Sequence, residues 1–199
     1  MTPRLGLFVY GSLASLASAE RTLGRPVEHA GVARLAGWRR RWSQARDNLA
    51  SEKTFARADD GTVPAYCLGL NLEPAAGPGP NGALIELESD ELERLDLREI
   101  RYDRVDVTRD VVTPNAPTGD EPPLDRVFTF TAKPANYAET PPPGAVILAS
   151  YARAVEAAFE ALDPEQLELF RETTGPYPVE VVEGILIRDE IPVGNPRDW

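Results

Sequence analysis

The chain has 199 residues, 42% apolar and 27% charged, the balance of a soluble globular protein long enough to bury one core. Its net charge of −11 repels a phosphate backbone, and no apolar run approaches the roughly 20 residues that span a bilayer, so neither nucleic acid nor a membrane is an expected partner. A single cysteine, Cys67, and a single histidine, His29, exclude an internal disulfide and leave too few ligands for zinc; the lone thiol suits a reducing, cytoplasmic setting.

Residues 5–20, LGLFVYGSLASLASAE, can be read in two ways. One is a secretory signal, with Arg4, an apolar core and small residues at 17 and 19. The other is a buried strand over 5–10, a sharp turn at Tyr10-Gly11-Ser12-Leu13, and a helix. Leu13, Leu16, Ala17, Glu20 and Leu23 follow helical spacing up to a stop at Gly24 and Pro26. The second reading is preferred, because Gly6, Gly11 and Ser12 interrupt the apolar core and a disulfide-free chain suits secretion poorly.

A strand with a turn at Gly37 is expected over 31–49, where Trp38 and Trp42 flank Arg39-Arg40-Arg41. The preferred reading has half-buried indoles beside solvated guanidiniums; the sharper one makes the arginines the lip of a site that holds a carboxylate. Residues 62–72 read as a strand that buries Cys67 as an inert thiol, and 73–82 as a Pro/Gly loop. A strand over 83–87 follows. Ser89 is then expected to cap a short helix ending near Glu99, with Leu92, Leu95 and Leu97 facing the core. Tyr102, Val105, Val107 and Val111-Val112 suggest another strand. A polar loop over 113–125, a strand over 126–132 and a loop over 134–144 come next. Tyr151, Val155, Ala158, Phe159 and Leu162 share one helical face. Asp163-Pro164 opens a further helix ending at Gly175-Pro176, and 179–187 reads as a last strand. This irregular order, without repeat or long linker, predicts a single α+β domain over 1–199.

Two segments offer chemistry. No Gly-rich nucleotide loop or G-x-S-x-G elbow is present, so reactions have to run on carboxylates, hydroxyls and backbone amides. The turn after the first strand presents N–H groups to an anion or carbonyl oxygen, and Gly11 permits close approach. Leu95-Asp96-Leu97-Arg98-Glu99, at a helix end, could aim a carboxylate into a cavity. Taken alone, Glu99 between Arg98 and Arg101 reads first as a solvated ion pair.

Together the two segments resemble the gamma-glutamylcyclotransferase family. "FVYGSL" matches its Tyr-Gly-Ser-Asn/Leu turn after the first strand. "GALIELESDELERLDLREIRYDRVDV" is similar to its Gly-apolar strand, short acidic helix, Leu-Asp-x-x-Glu segment and following Tyr. The likeness covers residues 5–160 in outline, with the tail 188–199 outside it. The resemblance implies a small mixed β-barrel flanked by helices. It implies that Tyr10, Gly11, Ser12, Leu13 and Tyr102 bind the substrate and that Glu99 is the catalytic acid/base. It further implies that a γ-glutamyl amine, amino acid or peptide becomes 5-oxoproline and a free amine without cofactor or metal. "LREIRY" and "RVFTFTAKPANY" are also similar to the glutathione-specific branch, which leaves the leaving amine open. Ile100 stands where the family often has Gly. That keeps a second reading alongside: a binding module on the same fold that holds a small ligand without turning it over.

Overall fold

The computed structural model describes residues 3–113 and 124–196; most of the loop expected over 113–125, and the end of the tail, lie outside them. In chain order the strands are β1 (Leu5–Val9), β2 (His29–Leu35), β3 (Trp38–Asp47), β4 (Lys53–Arg57), β5 (Tyr66–Pro74), β6 (Asn81–Leu87), β7 (Tyr102–Asp106), β8 (Val111–Val112), β9 (Arg126–Ala132), β10 (Ala145–Leu148), β11 (Val181–Val182) and β12 (Gly184–Asp189). The helices are α1 (Leu16–Leu23), α2 (Glu91–Arg98), α3 (Ala149–Leu162) and α4 (Pro164–Thr173).

All five residues of β1, Gly6 among them, are buried, as suits a strand covered on both faces. It lies inside a sheet of order β7-β9-β1-β6-β2-β8, antiparallel to β6 and parallel to β9, with Leu7 opposite both Ile85 and Phe128. A second sheet runs β11-β10-β5-β3, and β12 pairs with β4. The two larger sheets meet where β5 approaches β9, making a curled, mixed half-barrel. Leu7, Leu35, Leu70, Ile85, Leu95 and Phe159 fill its core.

Several expectations change in detail. The helix after β1 does not begin at Leu13: Ser12–Ala14 form one turn of 3-10 helix, Ser15 is extended, and α1 then runs to Gly24 at φ 76°. The segment 31–49 is not one strand: β2 ends at Leu35, the chain turns at Gly37, φ 80°, and β3 continues into the other sheet. Ser89 is not the cap of α2. Asp90 holds that position without a side-chain bond, while the Glu91 carboxylate folds back to accept the Glu88 N–H at 2.8 Å. Leu95 is buried but Leu97 is 59% exposed, because residues two apart on a helix face different ways. β10 merged in the sequence with the apolar stripe of α3. The strand over 179–187 divides between two sheets, β11 on β10 and β12 on β4. Asp163 does cap α4, its Oδ1 accepting the Glu165 N–H at 2.8 Å.

Neither reading of the arginine run holds for Arg40. It is 0% exposed. Its Nη1 donates to the carbonyls of Asn81 (2.8 Å) and Tyr10 (3.4 Å). Nη2 donates to Asn81 Oδ1, the Phe170 carbonyl and Thr173 Oγ1, and Nε to Thr174 Oγ1. The rings of Phe159 and Phe170 lie 4.9 and 4.1 Å from its guanidinium carbon. Arg39 and Arg41 do hold a carboxylate, but it is the protein's own Glu73, at 2.7 and 3.1 Å, with the Ser43 hydroxyl also donating to it.

Candidate active site

The end of β1, the turn after it and the end of α2 converge on one cavity of about 410 Å³, counting its mouth. Tyr10, Gly11, Ser12, Leu13, Glu99 and Tyr102 all line it, with Leu70, Phe130 and Tyr151 among the other walls. The structure thus brings together the six residues that the resemblance implied for the site, leaves out the Arg39-Arg40-Arg41 run, and adds Tyr151 from α3.

One wall accepts hydrogen bonds. The Tyr10 hydroxyl donates to the Phe130 carbonyl at 2.7 Å, and the Tyr102 hydroxyl to the Leu70 carbonyl at 2.8 Å. Each proton is committed to backbone, so the oxygen lone pairs remain for a ligand. Burial, chiefly, pushes both hydroxyls well above their ordinary range, and the neighbouring Glu99 charge adds to the shift. Burial also pushes Tyr151 up to about 12. All three stay protonated at neutral pH, which leaves Glu99 as the carboxylate of this wall.

Glu99 owes its place to a tight helix-to-strand turn. Its N–H closes the last turn of α2 on the Leu95 carbonyl, and its own carbonyl accepts the Tyr102 N–H at 2.8 Å. Its side chain is 18% exposed, and its Oε1 accepts from Arg98 Nε at 3.0 Å. It is therefore not a solvated surface pair: Arg98 is itself buried, and Arg101 pairs with Glu52 instead.

The turn after β1 also lines the cavity. The first bond of the 3-10 turn runs from the Ala14 N–H to the Gly11 carbonyl at 2.9 Å. The N–H groups of Ser12 and Leu13 precede it and have no intrahelical acceptor. A Cβ at Gly11 would lie 3.5 Å from the Tyr151 hydroxyl and 3.9 Å from Leu70, inside the cavity, so glycine keeps that space open. His29 supports the turn from behind, its Nε2 3.0 Å from the Ala14 carbonyl, and burial lowers its pKa. Tyr151 escaped the sequence reading because it sits on the apolar stripe of α3; a tyrosine hydroxyl on such a stripe was the available signal. Among the described residues no group of three His, Cys, Asp or Glu side chains gathers as a metal site.

No family model matches the chain, and no curated protein sequence is similar to it. Solved structures do match. The mixed α+β half-barrel is the architecture they share with it. A structure described as gamma-glutamyl cyclotransferase aligns over 90% of this chain and 94% of its own, at 16% identity and TM-score 0.56. An uncharacterized protein from Homo sapiens aligns over 92% and 95%, at 17% identity and TM-score 0.57. YkqA from Bacillus subtilis aligns over 89% of this chain at 20% identity and TM-score 0.57, and the match spans only 56% of YkqA. The chain has the gamma-glutamyl cyclotransferase-like fold.

Proposed function

We propose that the protein is a gamma-glutamylcyclotransferase-like enzyme that converts a small γ-glutamyl amine, amino acid or peptide into 5-oxoproline and the free amine. The observation that supports it is the division of the cavity into an accepting wall (Glu99, Tyr10 and Tyr102) and a donating turn (Ser12 and Leu13). A γ-glutamyl group carries an ammonium and a carbonyl on one flexible chain, and a cavity that folds one onto the other supplies the proximity that cyclisation needs.

Glu99 takes a proton from the α-ammonium. The freed amine attacks the γ-carbonyl carbon, and the oxyanion that forms is held by the turn N–H groups. The C–N bond to the leaving amine then breaks as that nitrogen is protonated. Becoming a lactam removes two protons from the α-nitrogen, and becoming an ammonium adds two to the leaving nitrogen, so the same carboxylate relays both. No cofactor enters this balance. The buried lone thiol of Cys67 fits the reducing cytoplasm as its setting. Ile100, whose identity motivated the binding-module reading, is 38% exposed and is not among the cavity walls.

The test is 5-oxoproline release from γ-glutamyl dipeptides, γ-glutamyl amines and glutathione, with Glu99→Gln as control. Release that disappears in the variant is the expected result. Ligand-induced thermal stabilisation without release would assign a binding module instead.

A further inference from the structure

Arg98 belongs to neither wall, yet it touches Glu99 and the helix that follows the ligand turn. Its Nε donates to Glu99 Oε1 at 3.0 Å, its Nη2 to Ser18 Oγ at 3.0 Å and its Nη1 to Thr22 Oγ1 at 2.7 Å and the Pro196 carbonyl at 3.4 Å. Ser18 and Thr22 are one turn apart on α1, buried on a face they share with Ala19 and Leu23. The Thr22 hydroxyl gives its proton to the Ser18 carbonyl at 2.8 Å, so its oxygen meets Arg98 as an acceptor. α1 is the direct continuation, through Ser15, of the turn that carries Ser12 and Leu13.

We propose that Arg98 is a positioning residue that locks Glu99 to the ligand turn through α1, holding one carboxylate oxygen and leaving the other for the cavity. The argument is geometric. A guanidinium is a planar fork, so bonds to α1 on its two Nη atoms fix the direction in which Nε points. Nε reaches a single oxygen of Glu99, and Oε2 is not engaged by Arg98. Two buried hydroxyls on an otherwise apolar helix face would be costly without partners, and Arg98 supplies them. Its charge also matters. Glu99 is faced by the protonated hydroxyls of Tyr10 from β1, Tyr102 from β7 and Tyr151 from α3. Arg101 is turned to Glu52, and Asp96, on the same helix, pairs with Arg104 at 3.2 Å. Arg98 is the cation in contact with the carboxylate, and removing it takes away that counter-charge.

This inference rests on Glu99 being the proton acceptor, and its test reads the carboxylate with and without turnover. Arg98→Met and Arg98→Lys are made in the full chain. The Glu99 carboxyl resonance is followed by 13C NMR at fixed pH, and kcat and KM are followed by 5-oxoproline release. In Arg98→Met that resonance is expected to move, because Nε no longer donates to Oε1. In the same variant kcat falls about 100-fold while KM changes little. Arg98→Lys does not restore kcat, because an ammonium lacks the planar fork. A folded Arg98→Met with wild-type resonance and wild-type kcat overturns the proposal. Should that variant not fold, Ser18→Ala with Thr22→Val removes the anchors and keeps the guanidinium; kcat is then expected to fall about tenfold, and an unchanged kcat overturns the proposal. A wild-type protein that releases no 5-oxoproline but shows the Arg98-dependent resonance defeats the cyclotransfer reading and supports the positioning role.

Discussion

Arg40 and Arg98 are both buried guanidiniums, 0% and 7% exposed, and they use their charge differently. Arg40 makes six hydrogen bonds, all to uncharged acceptors on the end of β1, on β6 and on α4 with the residue after it, and lies between two aromatic rings. Among the described residues no carboxylate pairs with it. Its donors are held by dipoles, and it fastens the back of the half-barrel. Arg98 gives two Nη atoms to neutral partners and its Nε to a carboxylate with one face toward a cavity. Burial of an arginine therefore says little about its role. What matters is whether its acceptor has another side open to a ligand.

The largest expected effect lies at that open acceptor. Glu99→Gln should lower kcat about 100- to 10,000-fold while the urea midpoint stays at the wild-type value, measured by 5-oxoproline release and denaturant unfolding. Wild-type turnover in that variant would leave the two arginines with no functional contrast. Next, Arg40→Met removes six hydrogen-bond donations from a buried site and should destabilise the fold by about 3 kcal/mol or more, read as a lower urea midpoint. Arg40→Lys should recover little of this, since an ammonium cannot reach Asn81, Phe170 and Thr174 together. A mild effect at Arg40 would mean that the back of the barrel tolerates loss of its fastening. Gly11→Ala sharpens the picture on the cavity side. Its methyl would sit against Tyr151, raising KM about tenfold with little change in the urea midpoint. The smallest effect is expected of Asp163→Ala, which uncaps the helix presenting Phe170 and Thr173 to Arg40. It should cost about 1 kcal/mol in unfolding and leave KM unchanged.

Much of this contrast was out of sight in the sequence. Arg39-Arg40-Arg41 reads as a solvated run flanked by tryptophans, because the acceptors that bury Arg40 come from Asn81 and from residues 170–174. Glu99 came forward only through the family resemblance of its Leu-Asp-x-x-Glu segment, and its partner not at all: Arg98 acquires meaning only when Ser18 and Thr22 are brought beside it. Tyr151 had the pattern of a core residue, and its ring is packed as one, edge-on to Trp42 at 6.0 Å. Only its hydroxyl end belongs to the cavity.

By itself the sequence determined what depends on near neighbours. An unbroken apolar run made β1, Gly24 ended α1, Asp163-Pro164 opened α4, and a glycine turn and an acidic helix end carried the two motifs of the site. Each follows from backbone preference or period over a few residues. The tertiary structure alone decided how 179–187 divides between two sheets, which arginine is buried without a carboxylate, and which carboxylate comes to line the cavity. Those outcomes depend on hydrogen-bond partners far away in the chain, and no local pattern records whether such a partner arrives.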